Sequence, residues 1–326
     1  MKNNIVLTPV AAEGKTQPEW VTKIKASIPF VGLLLVVLFF QIISKGRLFS
    51  SGNIPVLIND VFTVMLGALG MSFLMAQGMF DLSMASTAAI CGITISLVIP
   101  YSIWLALPVA LLTGLFIGLI NGFIVSRLRV PDLVGTLAMS YTLTGVAELF
   151  LGKGSGSKAV SAGILVFDNI ILKFITLILV ALLCLGIYNY TSYGIKCKAI
   201  GSRRQAAKLS GVKVSAVITV AYIITGIMSG LVAFFSVSRS ATSSIETGFN
   251  LHFNAMLALT IGGMSLAGGA SSRFRYAIIG GLCIGVIANG LSLWGLGSLA
   301  QQLIRGIIFI SVIAITLNRK KMENIK

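Results

Sequence analysis

The sequence predicts an all-α integral membrane protein with about ten transmembrane helices and both termini in the cytoplasm. Of its 326 residues, 56% are hydrophobic and 10% are charged, with a mean hydropathy of +0.97. A soluble domain carries roughly 25% charged residues. The apolar residues fall into ten long segments, and the basic residues collect in alternate connections between them. This composition excludes a disordered chain and most classes of soluble enzyme.

The ten segments are predicted to be helices because backbone amides in lipid must bond within their own segment or within a closed barrel. The segments are continuously apolar and lack the alternation of barrel strands. A helix needs about 20 apolar residues to cross the hydrocarbon core. The predicted spans are Ser27–Ser44, Val56–Ala76, Leu82–Ile99, Tyr101–Val125, Leu133–Leu151, Ile170–Tyr190, Val214–Val237, Phe253–Ala267, Tyr276–Trp294 and Ser298–Leu317.

The basic residues test the number of spans. With an even number both termini lie on one side, and the positive-inside rule assigns that side to the cytoplasm. Eighteen of the 25 Lys and Arg residues then lie in cytoplasmic segments, and a nine- or eleven-span chain would weaken this bias. The rule also accounts for the net charge of +16, so we expect no nucleic-acid partner. The predicted regions are a cytoplasmic arm without a signal-peptide pattern (1–26), a transmembrane domain (27–318) and a cytoplasmic tail (319–326).

A glycine-rich pattern on span four recurs on span nine. Gly114–Gly122, GLFIGLING, recurs as Gly281–Gly290, GLCIGVIANG, with one inserted residue. Because spans four and nine run in opposite directions, the recurrence predicts an inverted repeat of spans two to five and seven to ten. The alternative is that two glycine-rich helices converge by composition. Glycines four residues apart also predict close helix packing, either within the subunit or at a gating or dimer interface.

The longest basic cytoplasmic loop, residues 191–213, contains the segment AIGSRRQAAKLSGV at 199–212. Residues 204–209 are expected to form a short amphipathic helix between two glycines, with a serine cap at its start. Its apolar side chains would form a small knob suited to a groove of a partner protein. The alternative is a solvated basic loop that touches lipid headgroups. The candidate docking residues are Gly201, Ser202, Arg203, Arg204, Gln205, Ala206, Ala207, Leu209 and Gly211.

Three further segments complete a recognisable set, namely Gly78–Ser86 (GMFDLSMAS), Ile261–Gly269 (IGGMSLAGG) and Gln301–Gly306 (QQLIRG). In this order they are similar to the motifs G-G-I-D-L-S-V-G-S, L-G-G-T-S-L-x-G-G and Q-Q-x-I-K-G of ribose-type ABC importers. The basic loop is similar to the A-I-G-x-N-x-x-A-A-x-L-S-G-I/V signature of the same family. The chain therefore resembles the membrane permease subunit of these sugar importers over about residues 28–318.

The resemblance implies a multi-pass, non-catalytic subunit of the bacterial inner membrane that forms a solute pathway by alternating access. Its implied partners are a cytoplasmic ABC ATPase, an extracytoplasmic solute-binding protein, a second permease subunit (identical or different) and a small sugar-like solute. The ATPase would bind ATP and magnesium, and this chain would hold no cofactor. The alternative function is an ion- or proton-coupled secondary transporter of a small polar solute, motivated by the repeat.

Two departures from the family pattern affect the expected partners. The family commonly has Asn and Glu where this chain has Arg203, Arg204 and Gln205, so the local charge is reversed. Complementarity then predicts an ATPase groove more acidic than usual, or a partner permease that carries the acidic loop. Phe80 adds bulk before Asp81 and is expected to narrow substrate choice.

The candidate pathway residues are ionisable groups at membrane depth, which are costly there, and amides or aromatic rings that suit sugar hydroxyls. Asp81 is expected either to cap span three or to contact the solute, and Glu148 either to bind a hydroxyl or to face water. Arg305 is expected to snorkel outward. Asn121 and Asn289 occupy matching repeat positions and are expected to bond either the solute or helix backbones. The candidates are Asn59, Phe80, Asp81, Asn121, Glu148, Asn289, Gln301 and Gln302.

We predict neither a catalytic nor a metal site. The glycine-rich segment 152–158 misses the P-loop spacing, and His252 is the only histidine. An intramembrane enzyme would therefore lack its catalytic groups. The four cysteines lack C-x-x-C spacing and are interpreted as small core residues. They are Cys91, Cys184, Cys197 and Cys283.

Overall fold

The computed structural model describes residues 19–152 and 156–323, with side chains described for 29–152 and 156–314. Residues 1–18 of the predicted arm, Lys153 and the last three residues of the predicted tail lie outside the described residues.

The described residues form ten long or apolar helices that coincide in order with the ten predicted spans. Between the sixth and the ninth helices lie two short helices, α7 and α8. The helices are α1 (Glu19–Ile43), α2 (Ile54–Ala76), α3 (Met84–Val98), α4 (Ala106–Ser126), α5 (Asp132–Leu151), α6 (Ile170–Tyr190), α7 (Ser192–Ser202), α8 (Arg204–Leu209), α9 (Val214–Ser240), α10 (Leu251–Gly262), α11 (Arg275–Leu293) and α12 (Ser298–Glu323). Two three-residue strands, β1 (Ser157–Ala159) and β2 (Thr242–Ser244), pair antiparallel.

The helices confirm the all-α membrane class. Six of the described helices are long and apolar enough to cross a membrane: α2, α4 with the turn before it, α5, α6, α9 and α11. The apolar parts of the other four are shorter, at Pro29–Ile43, Met84–Val98, Leu251–Gly262 and Ser298–Ala314. The count of ten spans and the side of the termini stay predictions.

Four predicted span boundaries differ from the structure by five residues or more. Helix α4 begins at Ala106 where the prediction began at Tyr101, and α12 includes Glu323 where the prediction ended at Leu317. The other two are at α1 and α10.

Helix α1 begins at Glu19, eight residues before the predicted start, and its backbone runs through the end of the predicted arm. Helix α10 ends at Gly262, where the prediction continued to Ala267. It ends because Gly263 adopts a left-handed backbone with φ of 106°, which an apolar pattern does not reveal.

Helices α2, α9 and α11 form the centre of the molecule. In its most apolar stretch α9 is 72% buried, whereas α5 and α6 are 17% buried and lie at the periphery. Helix α4 packs along α9, α11 packs along α2, and α2 contacts α9.

Glycines set the close approach of α4 to α9. A Cβ atom at Gly114 would lie 2.2 Å from the carbonyl oxygen of Gly226, and one at Gly118 would lie 2.5 Å from that of Tyr222. On the opposite side, a Cβ at Gly230 would lie 2.5 Å from the carbonyl oxygen of Ala110. These small-residue spacings therefore serve packing within the subunit.

The helix pairs follow the predicted repeat. In the predicted repeat, α2 is equivalent to α9 and α4 is equivalent to α11. The contact between α4 and α9 is therefore equivalent to the contact between α11 and α2, and the structure contains both. The repeat-equivalent glycines also lie at these contacts, since a Cβ at Gly281 would lie 3.2 Å from Cα of Met65, and one at Gly285 would lie 2.6 Å from Cα of Val61. The last helices of the two units differ, because α5 packs along α3 whereas α12 touches α10 over a short stretch.

Replacing Gly118 by Leu is expected to destabilise the fold by about 3 kcal/mol or more, because the side chain must push α4 away from the backbone of α9. Titration with sodium dodecyl sulfate, followed by circular dichroism, measures the loss. Gly186→Leu on α6 is the matched control, since a Cβ there meets no neighbouring atom of the described residues within 4 Å. Equal stability of the two variants would contradict the close contact.

Candidate functional site

The chain is not helical between α2 and α3, and side chains of α5 form hydrogen bonds with the backbone there. We call this segment, residues 77–83, the break. The amide of Phe80 donates to Oδ2 of Asp132 at 2.8 Å, and the amide of Leu82 donates to Oγ1 of Thr136 at 3.1 Å. The hydroxyl of Tyr222, on α9, donates to the carbonyl oxygen of Phe80 at 2.9 Å. Buried backbone groups outside a helix need such partners, so α5 and α9 hold the break in one conformation.

Asp81 and Asn121 bond the entry to α3. Oδ1 of Asp81 accepts from the amide and the hydroxyl of Ser83, at 2.9 and 2.6 Å. Nδ2 of Asn121, on α4, donates to the same hydroxyl at 2.7 Å. Asp81 and Asn121 are 2% and 1% exposed. The bonded amide belongs to Ser83, the residue before α3 begins at Met84, so Asp81 bonds the turn at the entry to α3. Its role as a cap or as a solute contact stays a prediction.

Three of the sequence motifs meet at the end of α2. The amide of Gly269 donates to the carbonyl oxygen of Ala76 at 2.9 Å, and the amide of Ala270 donates to Oγ of Ser202 at 3.0 Å. A Cβ at Gly201 would lie 2.1 Å from that same Ala76 oxygen. The backbone of α7 therefore rests directly on the end of α2 and on the loop after α10. We call this contact the glycine junction, formed by residues 76–78, 201–202 and 267–270.

The short helix α8 occupies residues 204–209, as predicted, but its flanking residues differ from the local expectation. Gly201 lies inside α7, and Ser202 is the last residue of α7. Arg203, with extended backbone and no side-chain capping bond, precedes α8 instead. Gly201 is needed for close approach at the junction and does not end a helix. Gly211 follows α8 with φ of 82°, the left-handed conformation expected of a helix end.

The apolar residues of α8 divide between an exposed and a buried side. Leu209 is 90% exposed, whereas Ala207 is 5% exposed and belongs to the hydrophobic core. The predicted knob therefore consists of Leu209 and Ala206, and Ala207 anchors the helix to the rest of the chain. The other exposed docking residues are Ser202, Arg203, Arg204, Gln205 and Gly211.

Helix α8 forms one wall of a cleft of about 1060 Å³, which the ends of α4, α5 and α9 complete. We call it the basic cleft. Among the described residues that line it, the one carboxylate is Asp132, which already accepts the Phe80 amide. A surface of this charge is complementary to an acidic partner. The basic residues that line it are Arg127, Arg129, Arg204, Lys208 and Lys213.

A second cluster of polar side chains connects α2 with α11. Nδ2 of Asn53 donates to Oδ1 of Asn289 at 2.7 Å, and Nδ2 of Asn289 donates to Oδ2 of Asp60 at 3.2 Å. Asp60 also lies within electrostatic range of Arg239 and Arg305. Sequence reasoning missed Asp60. Its position in the first half of an apolar helix is the signal that could have identified it.

Gln302 lines a pocket of about 190 Å³ between α10 and α12, and Gln301 is bonded to Arg305 of the same lining. Nη2 of Arg305 donates to Oε1 of Gln301 at 2.9 Å, and Nη1 donates to Oδ1 of Asn254 at 3.3 Å. Gln302 is exposed and lines the pocket together with Asn254 and Arg305.

The remaining two pathway candidates lie elsewhere. Oδ1 of Asn59 accepts from the ammonium of Lys173, which also pairs with Asp168. Glu148 is exposed on α5. The eight candidates thus fall into separate groups. Phe80, Asp81 and Asn121 lie at the break, and Asn289 lies beside Asp60. Gln302 lines the α10–α12 pocket, Gln301 bonds Arg305, and Asn59 and Glu148 lie apart.

Comparison with known proteins gives a consistent picture. Residues 53–313 match the family model described as branched-chain amino acid transport system / permease component. The L-arabinose transport system permease protein AraH of Escherichia coli K12 is 31% identical over 266 residues, 78% of this chain and 80% of its own.

Two further relatives cover more of the chain. The ribose import permease protein RbsC of Bacillus subtilis 168 is 31% identical over 90% of this chain and 92% of its own. The galactofuranose transporter permease protein YtfT of Escherichia coli K12 is 30% identical over 89% of each chain. No solved structure matches the chain. The similarity to ribose-type sugar permeases inferred from the four motifs is confirmed.

Replacing Gly201 by Ala is expected to dislodge α7 from the glycine junction, because the methyl group has no room beside the Ala76 carbonyl. Trypsin should then cut after Arg203 and Arg204 several-fold faster than in the unsubstituted protein. Gly186→Ala is the control, since its methyl group meets no neighbouring atom within 4 Å in the part of the chain that the structure describes. Unchanged proteolysis of the Gly201 variant would contradict the contact.

Burial raises the pKa of the Cys197 thiol to about 12. At pH 8 the reactive thiolate is then roughly one part in ten thousand of the total. Because all four cysteines are buried, we expect the folded protein to resist maleimide from pH 7 to pH 9 and to react after denaturation. Mass spectrometry measures the adducts, and rapid labelling of Cys197 in the folded protein would show that α7 is not packed.

Proposed function

Since the chain belongs to the branched-chain amino acid transport system / permease component family, we propose that it is the transmembrane permease subunit of an ATP-driven, binding-protein-dependent importer of a sugar or sugar-like solute. The names of its relatives, which specify L-arabinose, ribose and galactofuranose, support a sugar as the solute class. The chain performs no chemistry in this proposal, and a separate subunit binds ATP and magnesium.

The exposed leucine of α8 carries the proposal. Leu209 is 90% exposed, whereas nearby Ala207 is buried in the core. The apolar side chain of Leu209 therefore projects from the protein surface. Exposed apolar groups rimmed by polar residues are typical of protein–protein contacts. Here the rim is basic, which favours an acidic groove on the ATPase. The reversed charge at Arg203 and Arg204 thus supports an ATPase with such a groove.

The glycine junction supplies a route from α8 to the membrane domain. A displacement of α8 moves α7, and α7 rests on the Ala76 carbonyl and on the loop at Gly269. The end of α2 leads directly into the break, which α5 and α9 hold by hydrogen bonds. In the proposed mechanism, closure of the ATPase shifts this contact, and the pathway alternates between outward and inward access.

The proposed assembly lies in the bacterial inner membrane, with ten spans and both termini in the cytoplasm. A second permease, identical or different, completes the pathway, and an external solute-binding protein delivers the solute. The exchange of helix pairs between α2–α5 and α9–α12 supports an inverted repeat in the subunit.

An ion- or proton-coupled secondary transporter is the competing function, since inverted repeats are common in that class. A secondary transporter uses no ATPase, so in that function the exposed Leu209 and the basic cleft would have no partner. Uptake that continues undiminished after deletion of the ATPase would favour it.

Replacing Leu209 by Asp is expected to reduce co-purification of the ATPase at least tenfold, because a carboxylate replaces the apolar contact. The permease should keep its unsubstituted thermal stability, since Leu209 is 90% exposed. Mass spectrometry of the purified complex and its ATP hydrolysis measure the loss.

Leu299→Asp is the matched control, because Leu299 is 83% exposed on α12 and lies outside the docking loop. Ala207→Asp should instead destabilise the permease itself, as a buried carboxylate without a partner is costly. Normal ATPase retention by the Leu209 variant would count against the docking role of α8.

A further inference from the structure

The basic cleft carries charge that no described part of the chain neutralises. Five basic side chains and the carboxylate of Asp132 line it, which gives the lining a net charge of +4. Oδ2 of Asp132 already accepts the amide of Phe80. Within the part of the chain that the structure describes, none of the five basic side chains takes part in an ion pair or a hydrogen bond. A cleft lined by charges of one sign attracts a ligand of the opposite sign.

The five cations come from separate segments of the chain and converge on one space. Arg127 and Arg129 lie in the connection between α4 and α5, and Lys213 lies directly before α9. Arg204 and Lys208 lie four residues apart on α8, so they share one side of this helix. Like charges at this spacing destabilise a helix, and an anion held between them removes that cost. The arrangement therefore favours one compact anion that several segments bind together.

The wall of the cleft opposite α8 is formed before any ligand arrives. Oγ of Ser215, at the start of α9, donates to Oγ of Ser126, at the end of α4, at 2.9 Å. The hydroxyls of Ser126 and Thr219 lie 3.0 Å apart. Arg129 has a left-handed backbone with φ of 58°, which residues with a side chain rarely adopt. Strained conformations of this kind cluster at binding sites.

The cleft uses a different side of α8 from the one that the proposed function assigns to the ATPase. Arg204 and Lys208 line the cleft. Ala206 and Leu209, the proposed apolar contacts of the ATPase, lie outside its lining. One short helix therefore presents a basic side to the cleft and an apolar side to a protein partner.

Phosphate is the anion whose chemistry fits this lining. A phosphate ester carries about −1.5 to −2 charges at neutral pH and three strong acceptor oxygens. Guanidinium groups bind phosphate through paired N–H donors, and lysine binds it as a point charge. A single carboxylate would leave most of the charge of the lining unneutralised. The volume of about 1060 Å³ admits a phosphate together with the molecule that carries it.

We propose that the basic cleft is a binding site for a phosphate-bearing anion, which bridges the basic side of α8 to Arg127 and Arg129 of the α4–α5 connection. The phosphate belongs to a soluble cytoplasmic compound or to the headgroup of an anionic phospholipid, since these helix ends lie at the predicted cytoplasmic membrane surface. A bound phosphate restrains α8, the helix that carries Leu209, and so regulates its docking side. The inference goes beyond the proposed function, because phosphate binding requires neither the ATPase nor the transported solute.

The first test measures binding of sodium pyrophosphate to the full-length permease in phosphatidylcholine nanodiscs by isothermal titration calorimetry. Arg127→Gln and Lys208→Gln each remove one cation, from opposite walls of the cleft. Each should weaken binding about tenfold or more, because a charge-assisted bond is lost. Lys196→Gln is the matched control, since Lys196 is exposed on α7 and lies outside the lining. Equal weakening by all three variants, or no binding to the unsubstituted permease, would overturn the proposal.

Hydrogen–deuterium exchange of the unsubstituted permease tests the bridge without a new side chain. Pyrophosphate should slow exchange several-fold both in residues 127–131 and in residues 204–213, and should leave α6 unchanged. Slower exchange in only one of the two segments would contradict a ligand that joins the walls of the cleft.

Nanodiscs of equal parts phosphatidylcholine and phosphatidylglycerol identify the source of the phosphate once pyrophosphate has been found to bind. If a lipid headgroup occupies the cleft, the Arg127→Gln permease should retain fewer phosphatidylglycerol molecules in native mass spectrometry than the Lys196→Gln permease. Equal retention assigns the site to a soluble compound, and either result supports a phosphate site.

An acidic surface of the ATPase is the competing occupant of the cleft. Protection of both segments by the ATPase, with no effect of pyrophosphate or phosphatidylglycerol, would make the cleft part of that interface and overturn the proposal. The phosphate measurements themselves use the permease alone. Their failure is therefore distinct from a failure of Leu209→Asp to release the ATPase.

Discussion

The need to pair every buried backbone amide that lies outside a helix governs the centre of this protein. Between α2 and α3 the chain leaves its helix, and the free amides of Phe80 and Leu82 find partners on α5. Asn121 of α4 and Tyr222 of α9 bond the same segment. One irregular turn therefore fixes the relative positions of three neighbouring helices, α4, α5 and α9, and none of them can move far without leaving a polar group unpaired.

Glycine has two physical uses here, and only one of them concerns backbone conformation. Gly78, Gly211 and Gly263 adopt left-handed backbones that end helices or turn the chain. Gly118 and Gly201 lie inside helices and serve close approach, because carbonyl oxygens occupy the space of a side chain. The glycine junction depends on the second use. Three of the motifs that suggested a transport protein thus contribute packing surfaces at this junction rather than reactive groups.

These two uses explain how much of the molecule could be predicted from sequence. Local signals placed the ten apolar helices and the short helix α8, because hydropathy and glycine punctuation are properties of adjacent residues. The role of Gly201 was not predictable, since its constraint is the Ala76 carbonyl far away in the sequence. Asp60 was overlooked in an apolar run, and its bond to Asn289 became visible only once α2 and α11 were packed together. The pocket at Gln302 likewise depends on how far α12 stands from α10, which no local pattern encodes.

The unequal attachment of α5 and α12 gives the two halves different mechanical characters. Helix α5 is held by its hydrogen bonds to the break and by its contact with α3, so the first repeat unit is the more rigid of the two. Helix α12 touches its neighbours along a short stretch, and elements with few internal contacts yield at the lowest free energy. The two repeat units therefore differ in rigidity, and heat or detergent should loosen α12 before the other helices.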